Sequence, residues 1–161
     1  MYQRPNPLAS PAPLKERNRI TPSMFALIRH AGYQLGSGSL TPEGNLCTQL
    51  LAQKLLQANT PWESIRTSPS TRTKETSSII AEILNTPVEI DKRVEIGGNF
   101  VDLLPPHKPK NIIFVSHLPV LTQILRIWSR SFGQKDEPPL TEVSCGYLID
   151  PAAKTIVLIC Q

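Results

Sequence analysis

Aromatic side chains are scarce in this sequence, at 6%, and although its formal net charge is +4, its 17 lysines and arginines never gather into a run of about five. A nucleic-acid surface would draw on a basic stripe interleaved with aromatics, so no nucleic-acid partner is expected. A membrane partner is not expected either, because no stretch approaches the roughly 18 apolar residues of a spanning helix. Pro5, Pro7, Pro11 and Pro13 break up the N-terminus, where a secretory leader needs a continuous apolar core. Cysteine is sparse too. Cys47, Cys145 and Cys160 are odd in number and show neither a CxxC nor a Cys/His metal spacing. They read as buried small hydrophobes in a reducing compartment, with no disulfide, in a soluble cytoplasmic protein.

What is present suffices for one globular domain: 161 residues, 40% of them hydrophobic. Residues 1–20 carry four prolines and no apolar periodicity, the composition of a flexible arm, which leaves residues 21–161 as the folded domain. Met24 to Ile28 is a continuous apolar run, as in a strand covered on both faces, and it ends in the polar pair Arg29-His30. A glycine-containing loop follows. Thr41-Pro42-Glu43 has the form of an N-cap, a first-turn proline and a first-turn acid, opening a helix to about Asn59 with Leu46, Leu50, Leu51, Leu55 and Ala58 at helical spacing.

Trp62 to Ser68 forms a second strand candidate, and Pro69 opens a helix whose apolar face is Ile79, Ile80, Ile83 and Leu84. Val88 to Ile90 is a candidate third strand. Asn111 to Val115 repeats the first pattern, an apolar run closing on Ser116-His117, and is followed by a helix bearing Val120, Leu121, Ile124, Leu125 and Trp128. Tyr147 to Ile149 and Thr155 to Cys160 flank the turn sequence Asp150-Pro151-Ala152-Ala153 as a hairpin. Alternating strands and helices predict an α/β fold of three layers, a mostly parallel sheet flanked by helices.

Ligands of open parallel sheets sit beyond the carboxyl ends of the strands, where this sequence places Arg29 and His30, Arg72 and His117. If those strands are neighbours, two histidines and two arginines converge. Arginine grips phosphoryl oxygens with planar paired donors and stays charged at any working pH. A neutral imidazole is a competent nucleophile toward phosphorus, and a second histidine can donate to the charge that develops. Metal binding is the competing use of two histidines. No carboxylate or cysteine stands at ligand spacing near either one, and the adjacent arginines would repel a cation, so neither a metal nor another cofactor is expected.

These residues resemble the histidine phosphatase (phosphoglycerate mutase-like) superfamily. LIRHAG at 27–32 is similar to its RHG signature with Ala31 in place of glycine, LTPEG at 40–44 to its LTxxG helix start, TSPSTRTKET at 67–76 to its SPxxRxxQT segment, and FVSHLPVL at 114–121 to its second-histidine strand. The resemblance implies that His30 accepts the phosphoryl group, that Arg29, Arg72 and His117 bind phosphate, and that Glu95, after the third strand, is the candidate general acid. Glu43 is read instead as a helix-start acid.

Only 44 residues, 73 through 116, separate Arg72 from His117, too few for a large substrate cap. With the SHLP sequence at 116–119, this compactness resembles the small SixA-type phosphohistidine phosphatases, which implies phosphohistidine on a protein as substrate. A small phosphate ester is the alternative substrate, and a non-catalytic phosphate- or phosphoprotein-binding module the alternative class.

Overall fold

The computed structural model describes residues 23–103, 110–136, 138–139 and 142–161; the arm expected over residues 1–20 lies outside them. Strand β1 (Phe25–Arg29) leads through a loop to α1 (Pro42–Gln57), then β2 (Ser64–Thr67), α2 (Thr71–Leu84) and β3 (Val88–Ile90). Two single 3-10 turns, Lys92–Val94 and Val101–Leu103, precede β4 (Ile112–Ser116), α3 (Leu118–Ser131) and the hairpin of β5 (Gly146–Asp150) and β6 (Thr155–Ile159). All the expected elements form, with ends shifted by one or two residues.

The six strands make one sheet in the order β3-β2-β4-β1-β5-β6. The first four are mutually parallel, and β5 and β6 add antiparallel at one edge. Alternation along β1 and β4 divides their side chains between two cores. Phe25, Leu27, Ile112 and Phe114 pack with Val120, Leu121, Ile124 and Leu125 of α3 on one face. Ala26, Ile28, Ile113 and Val115 pack with Leu51, Ala52 and Leu55 of α1 and Ile80 of α2 on the other. This is the predicted three-layer α/β architecture, because a strand buried on both faces must be apolar at every position.

Two helix faces differ from their predicted stripes. Leu46 and Leu50 are exposed, whereas Gly44 and Thr48 are buried in α1. In α2 the buried positions are Thr73, Thr76, Ser77 and Ile80, with Ile79, Ile83 and Leu84 only half-buried. At their N-terminal ends both helices press on the polar loop after β1 rather than on the apolar core, through Gly44 against Gly32 and Thr76 against Ala31. Thr41 caps α1 by accepting from Gly44 N at 3.0 Å, and its own N–H reaches Gly32 O at 3.0 Å. Gly44 has no room for a Cβ because the Gly32 backbone lies against it. The LTPEG sequence therefore docks the start of α1 onto the loop that follows Arg29-His30.

The cysteine reading is corrected. Cys145 and Cys160 are joined by a disulfide, their Cα atoms 4.4 Å apart. The pairing of Gly146 with Ile159 places the two cysteines opposite one another one step further along the ladder, at the close spacing of a non-hydrogen-bonded antiparallel pair. No motif marks this pair, since only the hairpin register brings positions 15 residues apart together. Cys47 is free, and of the three only Cys145 is buried. Cysteine content thus no longer argues for a reducing compartment. Among the described residues no helix is long and apolar enough to cross a membrane.

Replacing Gly44 with alanine should force the α1 start and the Gly32 loop apart and cost about 1–3 kcal/mol. Equilibrium urea unfolding would measure this, and an unchanged midpoint would show that the two segments are not in contact.

Candidate active site

Pairing between β1 and β4 sets Arg29 opposite Ser116, so His30 and His117 emerge one residue later from adjacent strand ends. Their rings lie 5.4 Å apart, centroid to centroid, in an edge-on arrangement, and both residues are buried. β2, on the other side of β4, ends at Thr67, and the chain turns through Ser68 into α2, whose first turn carries Arg72. Arg72 donates from Nη2 to His117 Nδ1 at 3.1 Å. The structure therefore brings Arg29, His30, Arg72 and His117 to one place, with the N-termini of α2 and α3 beside them. Helix N-termini favour anions.

Hydrogen bonding settles the tautomers. His30 Nδ1 lies 2.9 Å from the carbonyl oxygen of its neighbour Ala31, which can only accept. Nδ1 therefore carries the proton, and Nε2 keeps its lone pair. His117 is arranged the opposite way: Arg72 can only donate, so Nδ1 accepts and Nε2 carries the proton toward Ser68 Oγ at 2.9 Å. Ser68 Oγ in turn donates to Thr73 Oγ1 at 2.8 Å, and the one Thr73 hydroxyl proton is shared between the carbonyls of Ser68 and Ser70. The orientation of His117 is thus fixed by a chain of hydroxyls ending on the backbone.

Both imidazoles resist protonation. Burial lowers the pKa of His30 most, and the charges of Arg72 and Arg29 add to this against the opposing Ala31 hydrogen bond. Burial, then Arg72, then His30 bring His117 down to about 4. Both rings are neutral near pH 7, as a nucleophilic nitrogen has to be.

Glu95 is placed less directly. Ser116 Oγ donates to the Val94 carbonyl, which brings the 3-10 turn Lys92–Val94 against the end of β4 with Glu95 as its next residue. Asp91, bonded to the Arg93 side chain at 2.7 and 3.0 Å and to Arg66 at 3.2 Å, secures that turn. Glu95 is half-buried, and its carboxylate makes no hydrogen bond or ion pair with a described residue. Among the described residues no group of three or more His, Cys, Asp or Glu side chains is disposed to hold a metal ion.

Several site residues escaped sequence reasoning. Ser68 and Thr73 hold His117, Thr76 Oγ1 accepts from Ala31 N at 3.0 Å, and Glu75 accepts from Leu40 N at 2.7 Å, securing the loop before α1. All four fall within TSPSTRTKET, so the motif pointed to them without giving their roles. Tyr33, which packs against both His30 and Arg72, carried no such signal.

Sheet order, helix placement and the four motif segments define an α/β fold of the histidine phosphatase type. Residues 27–95 match the model of the histidine phosphatase superfamily (branch 1), and most of the chain shares the fold of solved proteins of that type. One is the protein histidine phosphatase SixA complexed with tungstate, at a TM-score of 0.68 and 18% identity over 84% of this chain and 94% of that one. Another is SixA from Agrobacterium tumefaciens, at 0.65 and 13% over 86% and 96%. A phosphoserine phosphatase from Entamoeba histolytica, in complex with 3-phosphoglyceric acid, aligns at 0.61 and 16% over 84% and 94%. No match was found among curated protein sequences.

In an NMR titration His117 should stay neutral down to about pH 4, and His30 should titrate below 6.5. Histidines of the unfolded chain take up protons near 6.5, so between that pH and about 4 the unfolded state binds more protons than the native one. Stability should therefore decline as pH falls through this window. A His117 midpoint near 6.5 would contradict the arrangement.

Proposed function

We propose that the protein is a metal-independent phosphatase that works through a phosphohistidine intermediate on His30. The observation that carries this reading is the hydrogen bond from His30 Nδ1–H to the Ala31 carbonyl, which leaves Nε2 as a lone-pair donor on a ring kept neutral beside two arginines. In the first step Nε2 attacks phosphorus; the P–N bond forms, the bond to the leaving group breaks, and that group departs with a proton. Water then attacks the phosphorus of phosphohistidine, the P–N bond breaks, and inorganic phosphate is released with His30 restored. Arg29 and Arg72 would supply the positive charge that metal ions provide elsewhere. Arg72 Nε is buried with no hydrogen-bond partner among the described residues, a donor that a phosphoryl oxygen could satisfy. Once Arg72 turns to phosphate, His117 would complete the clamp by taking up a proton on the freed Nδ1, which an adjacent anion favours, and donating it to a phosphoryl oxygen.

Phosphohistidine on a protein is the favoured substrate. Between β3 and β4 the described residues hold two three-residue 3-10 turns, and none of these described residues forms a helical cap over the strand ends. Protonated imidazole is also a good leaving group, so a loosely held acid such as Glu95 suffices. A small phosphate ester is the second reading, favoured by the likeness to a phosphatase bound to 3-phosphoglyceric acid. Purified protein screened against phosphohistidine peptides and monoesters in EDTA should turn over the former. A phosphorylated substrate should leave acid-labile, base-stable label on His30, and label that persists in His30→Ala would refute the nucleophile.

Glu95→Gln separates the two substrates. General acids contribute about 10²- to 10⁴-fold where the leaving group is poor. The variant should stay within about tenfold of the parent on phosphohistidine while losing far more on an alkyl phosphate. Equal large losses on both would show that the carboxylate serves both reactions and would remove the leaving-group argument.

A further inference from the structure

Arg72 is central to the proposed site, yet among the described residues no carboxylate lies within ion-pair distance of it. Among the same residues Nε has no hydrogen-bond partner, and Nη2 has the imidazole of His117. A flexible guanidinium held by one neutral acceptor would sample many orientations. The other group against it is the ring of Tyr33, whose centroid lies 4.7 Å from Arg72 Cζ, within cation–π range. The same ring meets His30 edge-on at 5.3 Å, with the planes 77° apart.

Tyr33 is itself held firmly. It bridges to Leu40 across the loop after β1, and Leu40 N–H is bonded to Glu75, on the same helix as Arg72. Gln34 N–H to Ser39 O at 2.8 Å and Gly38 N–H to Gln34 O at 3.0 Å close the loop. A circuit therefore runs from α2 through Glu75, Leu40 and Tyr33 back to α2 at Arg72. The ring is half-exposed, and its hydroxyl bonds to no described residue. Neither core packing nor a hydroxyl contact explains its place.

We infer that Tyr33 is the positioning residue of this site: its ring face holds the Arg72 guanidinium in register with His117 and the nucleophile before a phosphoryl group arrives. This rests on the reading of Arg72 as a phosphate ligand, but the geometry can be tested without turnover. Tyr33→Leu keeps an apolar side chain without a π face, and Tyr33→Phe keeps the face without the hydroxyl. With Tyr33→Leu, Arg72 should drift from His117. The NMR titration midpoint of His117 should then rise, since Arg72 and His30 are the charged or titratable neighbours that hold it down after burial.

Affinity for inorganic phosphate should fall about 2- to 30-fold, the range of a cation–π contact between exposed and desolvated. Tyr33→Phe should retain both the midpoint and the affinity of the parent. An unchanged His117 midpoint in Tyr33→Leu, or an equal shift in Tyr33→Phe, would overturn the assignment. Should the parent protein prove inactive on every phosphorylated substrate, the proposed function fails, and the His117 titration still decides the role of Tyr33.

Discussion

Everything at the site depends on the parallel pairing of β1 with β4. With Arg29 opposite Ser116, the next residues of both strands are histidines, and the strand spacing puts their rings in contact. A slip of one residue would exchange the differently sized side chains that fill the two cores, such as Phe25 and Leu27 for Ala26 and Ile28, and would separate the rings, so the two buried cores enforce the register on which the chemistry relies. β2, paired on the far side of β4, adds Ser68 and Arg72 at the same level.

Gathering positive and polar groups there costs stability. Burying two imidazoles near two guanidiniums disfavours the charged rings, and the fold accommodates this by keeping both neutral and giving partners to His30 Nδ1 and to both nitrogens of His117. The hydroxyl chain from Ser68 through Thr73 ends on carbonyls, so no proton in it lacks an acceptor. The helix faces above the site are polar for the same reason. Thr76 and Thr73 are buried where an apolar stripe would leave Ala31 N–H without an acceptor and Ser68 Oγ, which holds His117, without its partner.

Phosphate completes the same electrostatic picture. Two arginines and two helix N-termini converge with no described carboxylate paired to Arg72, so the site carries positive potential that an anion would neutralise. The glycines of the motif segments serve this geometry indirectly. Gly44 lets α1 begin against Gly32, and that contact fixes the loop bearing Tyr33 over Arg72.

Short-range patterns in the sequence determined the elements and the residues at strand ends. An apolar run closing on Arg29-His30, another closing on Ser116-His117, and a proline-led helix carrying Arg72 are local signals, because periodicity and capping act within a few residues. Partner choice could not be read this way. That Cys145 faces Cys160, that Leu46 and Leu50 lie outside, and that Tyr33 lies against Arg72 follow from contacts between segments distant along the chain. The tautomers of His30 and His117 were likewise decided only when folding placed Ala31 O, Ser68 Oγ and Arg72 around the rings, since an imidazole takes its proton position from the neighbours it meets in space.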